Sequence, residues 1–284
     1  MTSPTAPTTV RTAVPSALPR TRPLPLLRRA LEESWRSLLG WTIGLLAALL
    51  LYLPLFPTLG ANQQMQNLIN ELPPQLVNTL GYHNILSGPG YVQATFYGLF
   101  GFVLLSIAAT AWGTAAIAGD EETGSLELTL AHGVARVQLV LERTGAVVIR
   151  LLWLCAFSAI VVFALTGPAQ LEIVPRNLIA GAAAMLGLAL VPALFAVAAG
   201  AATGRRVYAT GAGAGAAVVA YALNALGSQT ADLAYLKDWS PYGWAYRNTP
   251  LVDGTDWAGL GLLFGLDALM LVVAVISFRA RDIH

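Results

Sequence analysis

The sequence predicts an all-α, polytopic membrane protein. Six transmembrane helices are expected, with an amphipathic interfacial helix ahead of the first and a short amphipathic helix between the second and third. Two observations carry this reading. Hydrophobic residues make up 56% of the 284-residue chain and charged residues 11%, with a mean hydropathy of +0.64, beyond the range of ordinary water-soluble domains. Six stretches are also apolar over about 20 residues, the length that crosses a hydrocarbon layer about 30 Å thick. The net charge of +1 implies no nucleic-acid partner, since in such a chain the placement of charges matters more than their sum.

Residues 1–23 are rich in Pro, Thr, Ser and Ala and lack the continuous apolar core of a secretory signal. They read as a disordered tail, and residues 24–284 as one transmembrane domain. In the segment that follows, Leu27, Ala30, Leu31, Ser34, Trp35 and Leu38 recur at helical spacing, opposite Arg28, Arg29, Glu32, Glu33 and Arg36. That pattern suits a helix lying in the interface plane, as an anchor, a docking element or both.

The six spans are expected at Ser37–Pro57, Ala94–Ala118, Ala146–Gly167, Leu178–Ala202, Val207–Gly227 and Trp257–Phe278. All of the 16 basic residues except Arg176, Lys237 and Arg247 then fall on one side. By the positive-inside rule that side, with both termini, is expected in the cytoplasm, and the loops at about 58–93 and 228–256 face outward. Gly200 with Gly204, and Gly211 with Gly215, fit a small-residue spacing that serves general helix packing or a dimer seam. Cys155, the single cysteine, reads as a small buried hydrophobe.

Between spans two and three stands a polar island, GDEETGSLELTL, residues 119–130. Gly124 permits a sharp turn, Thr123 or Ser125 can cap a new helix, and Glu127 suits its first turn. Leu126, Leu128 and Leu130 make this helix too apolar for a solvated loop, yet it is far too short to cross a bilayer. Such a helix suits insertion into a groove on a partner. Glu121 and Glu122 read either as anchors against neighbouring chains or as solvated acids. His132 reads as a turn residue, since no second ligand lies at metal-binding spacing; no metal site is expected.

Asp267 lies near the middle of span six, where an ionised carboxylate costs about 2.5 to 3.5 kcal/mol. It would meet a cationic substrate or a proton, hold helices together by pairing with a polar partner such as Asn224 of span five, or stay a neutral protonated acid inside the bundle. Tyr235, Trp239, Tyr242, Trp244 and Tyr246 crowd the 228–256 loop near Trp257; they read first as an interfacial aromatic belt and otherwise as a ligand site.

At this point the residues resemble a known family. GDEETGSLELTLAHGVARVQLVLER (119–143) looks like the cytoplasmic loop of permeases of type-two ATP-binding-cassette (ABC) exporters. In that family an acidic pair, a Gly-Ser/Thr-Leu-Glu-Leu run and a downstream Arg form the coupling helix that rests on the ATPase. The helix before span one resembles the family's connecting helix, residues 70–100 its first outer loop, and WSPYGWAYRNTPLVDG (239–254) the segment before its last span. The family's loop often carries Pro where Gly133 stands here. The resemblance covers most of residues 24–284. It implies an ATPase-coupling set of Glu121, Glu122, Gly124, Ser125, Leu126, Glu127, Leu128, Leu130 and Arg136. It also implies a connecting helix bearing Arg28, Arg29, Glu32 and Trp35, and an outer gate at Ser240, Pro241 and Pro250.

The chain has one lysine, Lys237, and no G-x-x-x-x-G-K-[ST] loop. No catalytic residue is expected; ATP and Mg would bind on two copies of a separate ATPase subunit. The resemblance further implies a second permease, identical or homologous, in a bacterial plasma membrane. The expected activity is export of a hydrophobic drug, antibiotic or lipid, as in multidrug efflux. A secondary transporter or channel is the alternative, although no repeat of the kind such proteins show is evident. A rhomboid-like protease using Ser228 and His83 lacks a G-x-S-x-G setting.

Overall fold

The computed structural model describes residues 24–60, 71, 84–124 and 134–281. Outside the described residues lie the expected tail, residues 61–70 and 72–83 of the first long loop, and the island from Ser125 through Leu126, Glu127, Leu128 and Leu130 to His132 and Gly133.

Among the described residues there is no strand, and six helices are long and apolar enough to cross a membrane. The short helix α1 (Pro25–Glu33) leads into α2 (Trp35–Thr58), α3 (Gly88–Glu122), α4 (Arg136–Thr166), α5 (Pro175–Thr203) and α6 (Arg206–Gly227). A tight helical turn (Ala231–Trp239), α7 (Pro241–Tyr246) and a wide turn (Thr249–Asp253) then fold back before α8 (Trp257–Ala280).

Two spans begin earlier than their hydropathy suggests. The α3 helix starts at Gly88 because Ser87 caps it, its Oγ accepting from Gly90 N at 3.2 Å, with Pro89 in the first turn. The α4 helix starts at Arg136, ten residues before the apolar edge at Ala146, because Glu142 and Arg143 find partners on neighbouring helices. Within α3, residues Gln93–Gly101 and Ala115–Gly119 form wider π-helical turns, a local geometry often found where a helix serves a function.

The α5 helix lies at the centre, packed by α3, α4, α6 and α8. Its Ala- and Gly-rich sequence allows neighbouring backbones to approach: a Cβ added at Gly113 of α3 would sit 2.4 Å from the Ala193 carbonyl oxygen. Gly200 packs on Ala118 and Ala209 of the same chain, so it serves internal packing, whereas Gly211 and Gly215 look onto open space. The short break between α5 and α6 is made by Gly204, whose φ of +68° closes α5 while its N–H donates to Gly200 O at 2.8 Å.

Candidate functional site: a charged clasp and an apolar groove

Asp120, Glu121 and Glu122 each face an arginine in or next to another helix. Asp120 pairs with Arg143 of α4 at 2.5 Å, Glu121 with Arg281 just beyond α8, and Glu122 with Arg206 at the start of α6 at 3.4 Å. Three consecutive carboxylates at the end of α3 thus fasten three other spans. Glu122 Oε1 also accepts from Arg206 N at 2.9 Å, capping α6 where its own N-cap residue makes no side-chain bond. Arg281 reaches on to Ala201 O at 3.2 Å, and Arg206 to Gly119 O at 3.2 Å. Burial holds the Arg281 guanidinium below its ordinary value, but an arginine so perturbed remains charged.

Gly204 completes the clasp: a Cβ there would fall 2.3 Å from Glu121 Oε1. Arg136 donates to the Arg281 carbonyl at 2.6 Å, joining the start of α4 to the end of α8. Thr123 Oγ1 donates back to Gly119 O, and Gly124 turns the chain with φ of +72°.

The same end holds α1. Leu24 offers α1 no capping side chain, so the carboxylate of Glu142, only 3% exposed, accepts from Leu26 N (2.8 Å) and Leu27 N (3.0 Å) instead. Leu27 lies against Gly145, while Arg28–Glu32 and Arg29–Glu33 form exposed i,i+4 pairs and Trp35 stays exposed beneath Arg36. Exposed pairs of this kind contribute little stability, so Glu142 and the apolar face are what seat the helix. Deeper in α4, Arg150 is buried and stacks over the Trp112 ring at 4.9 Å.

At the opposite end, residues 231–256 fold into the bundle. Ser240 is fully buried; its Oγ accepts from Gly243 N (2.9 Å) and donates to Ala220 O (2.6 Å), with Pro241 in the first turn of α7. Tyr242 donates to Gly98 O at 2.8 Å, onto the π-helical part of α3. Burial pushes its phenol well above the ordinary value, which keeps it a neutral donor. Pro250 is buried beside Leu251, whose carbonyl accepts from Asn177 of α5 at 3.2 Å. The aromatic crowd therefore divides. Tyr235, Trp239 and Trp257 are exposed, as a belt requires, but Tyr242 turns inward against Phe102, Tyr221 and Tyr246.

Between α3 and α6 runs an open groove of about 800 Å³, walled by residues such as Leu99, Val103, Ile107 and Val218. Ser106, Thr110 and Thr114 mark its α3 side at four-residue intervals; Phe102 and Tyr221 line it towards one end and Arg206 stands at the other.

The expected pairing of Asp267 with Asn224 is not made. Both Asp267 oxygens lack a hydrogen-bond partner among the described residues, and the side chain is 5% exposed. Asn224 instead lies by Gly243, its carbonyl accepting from Ser228 Oγ at 2.8 Å. The physical reason is depth: Asn224 is one turn from the end of α6, whereas Asp267 is near the middle of α8.

Arg143, Arg206, Arg281 and Glu142 entered the sequence reading only as flanking charges or not at all. Three consecutive acids at 120–122 in a chain with few charges, matched by arginines near the same ends of other spans, is the signal the sequence offers. A search of the curated proteins returns no match. Residues 24–283 match the family model described as ABC-2 family transporter protein. With that match over nearly the whole chain, on a fold of six membrane-crossing helices, the chain belongs to the ABC-2 transporter family.

Proposed function

We propose that this ABC transporter membrane subunit is the permease of a bacterial exporter, with both termini and the clasp in the cytoplasm. Two copies of a separate ATPase supply the energy, and a second permease, identical or homologous, completes the pathway. The observation that carries the reading is the clasp. Asp120, Glu121 and Glu122, which precede residues 125–131 in sequence, are each fastened to a different span. A pull on that loop is thereby shared among α4, α6 and the end of α8. Among the described residues nine arginines, from Arg28 to Arg281, gather at this end, which supports its cytoplasmic placement.

In this reading the leucine-bearing segment is the coupling helix and α1 the connecting helix. ATP binding draws the ATPase subunits together, the loop follows, and the spans move as rigid bodies to switch the cavity from inward-open to outward-open. The groove between α3 and α6 carries a hydrophobic cargo towards the 231–256 segment. There the Ser240, Tyr242 and Asn177 hydrogen bonds form the outer gate. The exporter reading is tested in inverted membrane vesicles bearing the permease and its ATPase. Uptake of a hydrophobic dye is expected to require ATP and to survive collapse of the proton gradient; uptake that follows the gradient and ignores ATP would favour a secondary transporter.

A further inference from the structure

We propose that the groove between α3 and α6 takes an elongated anionic amphiphile, its acidic head on Arg206 and its apolar body along the helices. This rests on the permease reading and names the cargo class within it. From Arg206 to Tyr221 the groove follows α6 for about 22 Å at 1.5 Å per residue, a length suited to an extended long-chain acyl tail. Its walls are largely aliphatic, and the Phe102 and Tyr221 rings, 6.2 Å apart, flank it away from Arg206, so that end suits apolar groups.

Charge selects the head. Arg206 is the one charged residue lining the groove among the described residues. Its guanidinium is the most loosely held of the three in the clasp. Arg206 and Glu122 are 3.4 Å apart with side chains 50% and 43% exposed, whereas Arg143 and Asp120 are 2.5 Å apart with side chains 14% and 22% exposed. A carboxylate or phosphate entering the groove gains charge-assisted hydrogen bonds from that guanidinium, while a cationic head is repelled. Glu122 keeps its bond to Arg206 N through Oε1 when the guanidinium turns away from Oε2, so α6 remains capped. The cargo head and Glu122 therefore compete for one guanidinium. Occupancy of the groove loosens the Glu122–Arg206 pair, and by reciprocity whatever breaks that pair alters cargo affinity.

The test uses the full chain in phosphatidylcholine nanodiscs, with binding of radiolabelled palmitate measured against empty discs. Palmitate is expected to bind, and hexadecyltrimethylammonium to compete at least tenfold less well than unlabelled palmitate. Arg206→Gln is expected to weaken palmitate binding at least tenfold. Glu122→Gln, which frees the guanidinium while retaining a group able to cap α6, is expected to tighten it several-fold. Arg176→Gln, at the opposite end, is expected to leave the affinity unchanged. Equal competition by the cationic amphiphile, or weaker binding in Glu122→Gln, overturns the proposal. Should ATP-driven uptake be present while the cation competes equally, the permease reading stands and the anionic cargo class falls.

Discussion

Replacing Leu126, Leu128 and Leu130 together with Asp is expected to abolish recovery of the ATPase with the permease and to reduce transport to background. The chain itself should still insert, since this segment is too short to be a span. A short apolar helix in a groove derives its affinity from a few buried side chains, each worth about 2 kcal/mol or more at the centre of an interface. Losing three such contacts lowers affinity on the order of 10⁴-fold, at about 1.4 kcal/mol per tenfold, and burying new carboxylates adds to the loss. Co-purification from detergent-solubilised membranes, with ATP-driven transport in parallel, checks the outcome. If both survive, the partner is held elsewhere.

The second large effect concerns the clasp and separates binding from transmission. Glu121→Arg places a cation against Arg281 in a half-buried setting where Gly204 leaves no room to retreat. Transport is expected to fall at least tenfold while the ATPase still co-purifies, because residues 125–131 are unaltered but α3 no longer holds the end of α8. Adding Arg281→Glu reverses both charges and is expected to restore a substantial part of the transport. Thermal unfolding in detergent, with Glu121→Gln as the milder variant, separates a loss of transmission from a loss of folding. Normal transport by Glu121→Arg would mean that the clasp carries no load.

The number of spans, their order and the uneven placement of arginine were all legible in the sequence, because hydropathy over about 20 residues depends on the local chain alone. The early starts of α3 and α4 were not. Glu142 and Arg143 look like the end of a span until the Leu26 and Leu27 N–H groups and Asp120 are seen to satisfy them. The clasp escaped for the same reason, since its partners lie as far apart in sequence as Glu121 and Arg281 and only the bundle brings them together. Asp267 shows the opposite failure. A plausible partner of the right chemistry, Asn224, stood on another span, but sequence spacing says nothing about relative depth. Nor does composition separate Tyr242 from the exposed aromatic residues around it, since it cannot tell a ring at the interface from one hydrogen-bonded to the Gly98 carbonyl.

The central claim is that residues 125–131 are gripped by a separate ATPase. It is tested most directly by placing a photoreactive amino acid at position 128 in the full chain, in native membranes, and identifying the crosslinked product by mass spectrometry. The account predicts a crosslink to a polypeptide carrying a G-x-x-x-x-G-K-[ST] loop, lost when Leu126 and Leu130 are changed to Asp. Crosslinking to lipid alone, or labelling of position 128 by an impermeant reagent from outside the cell, would contradict it.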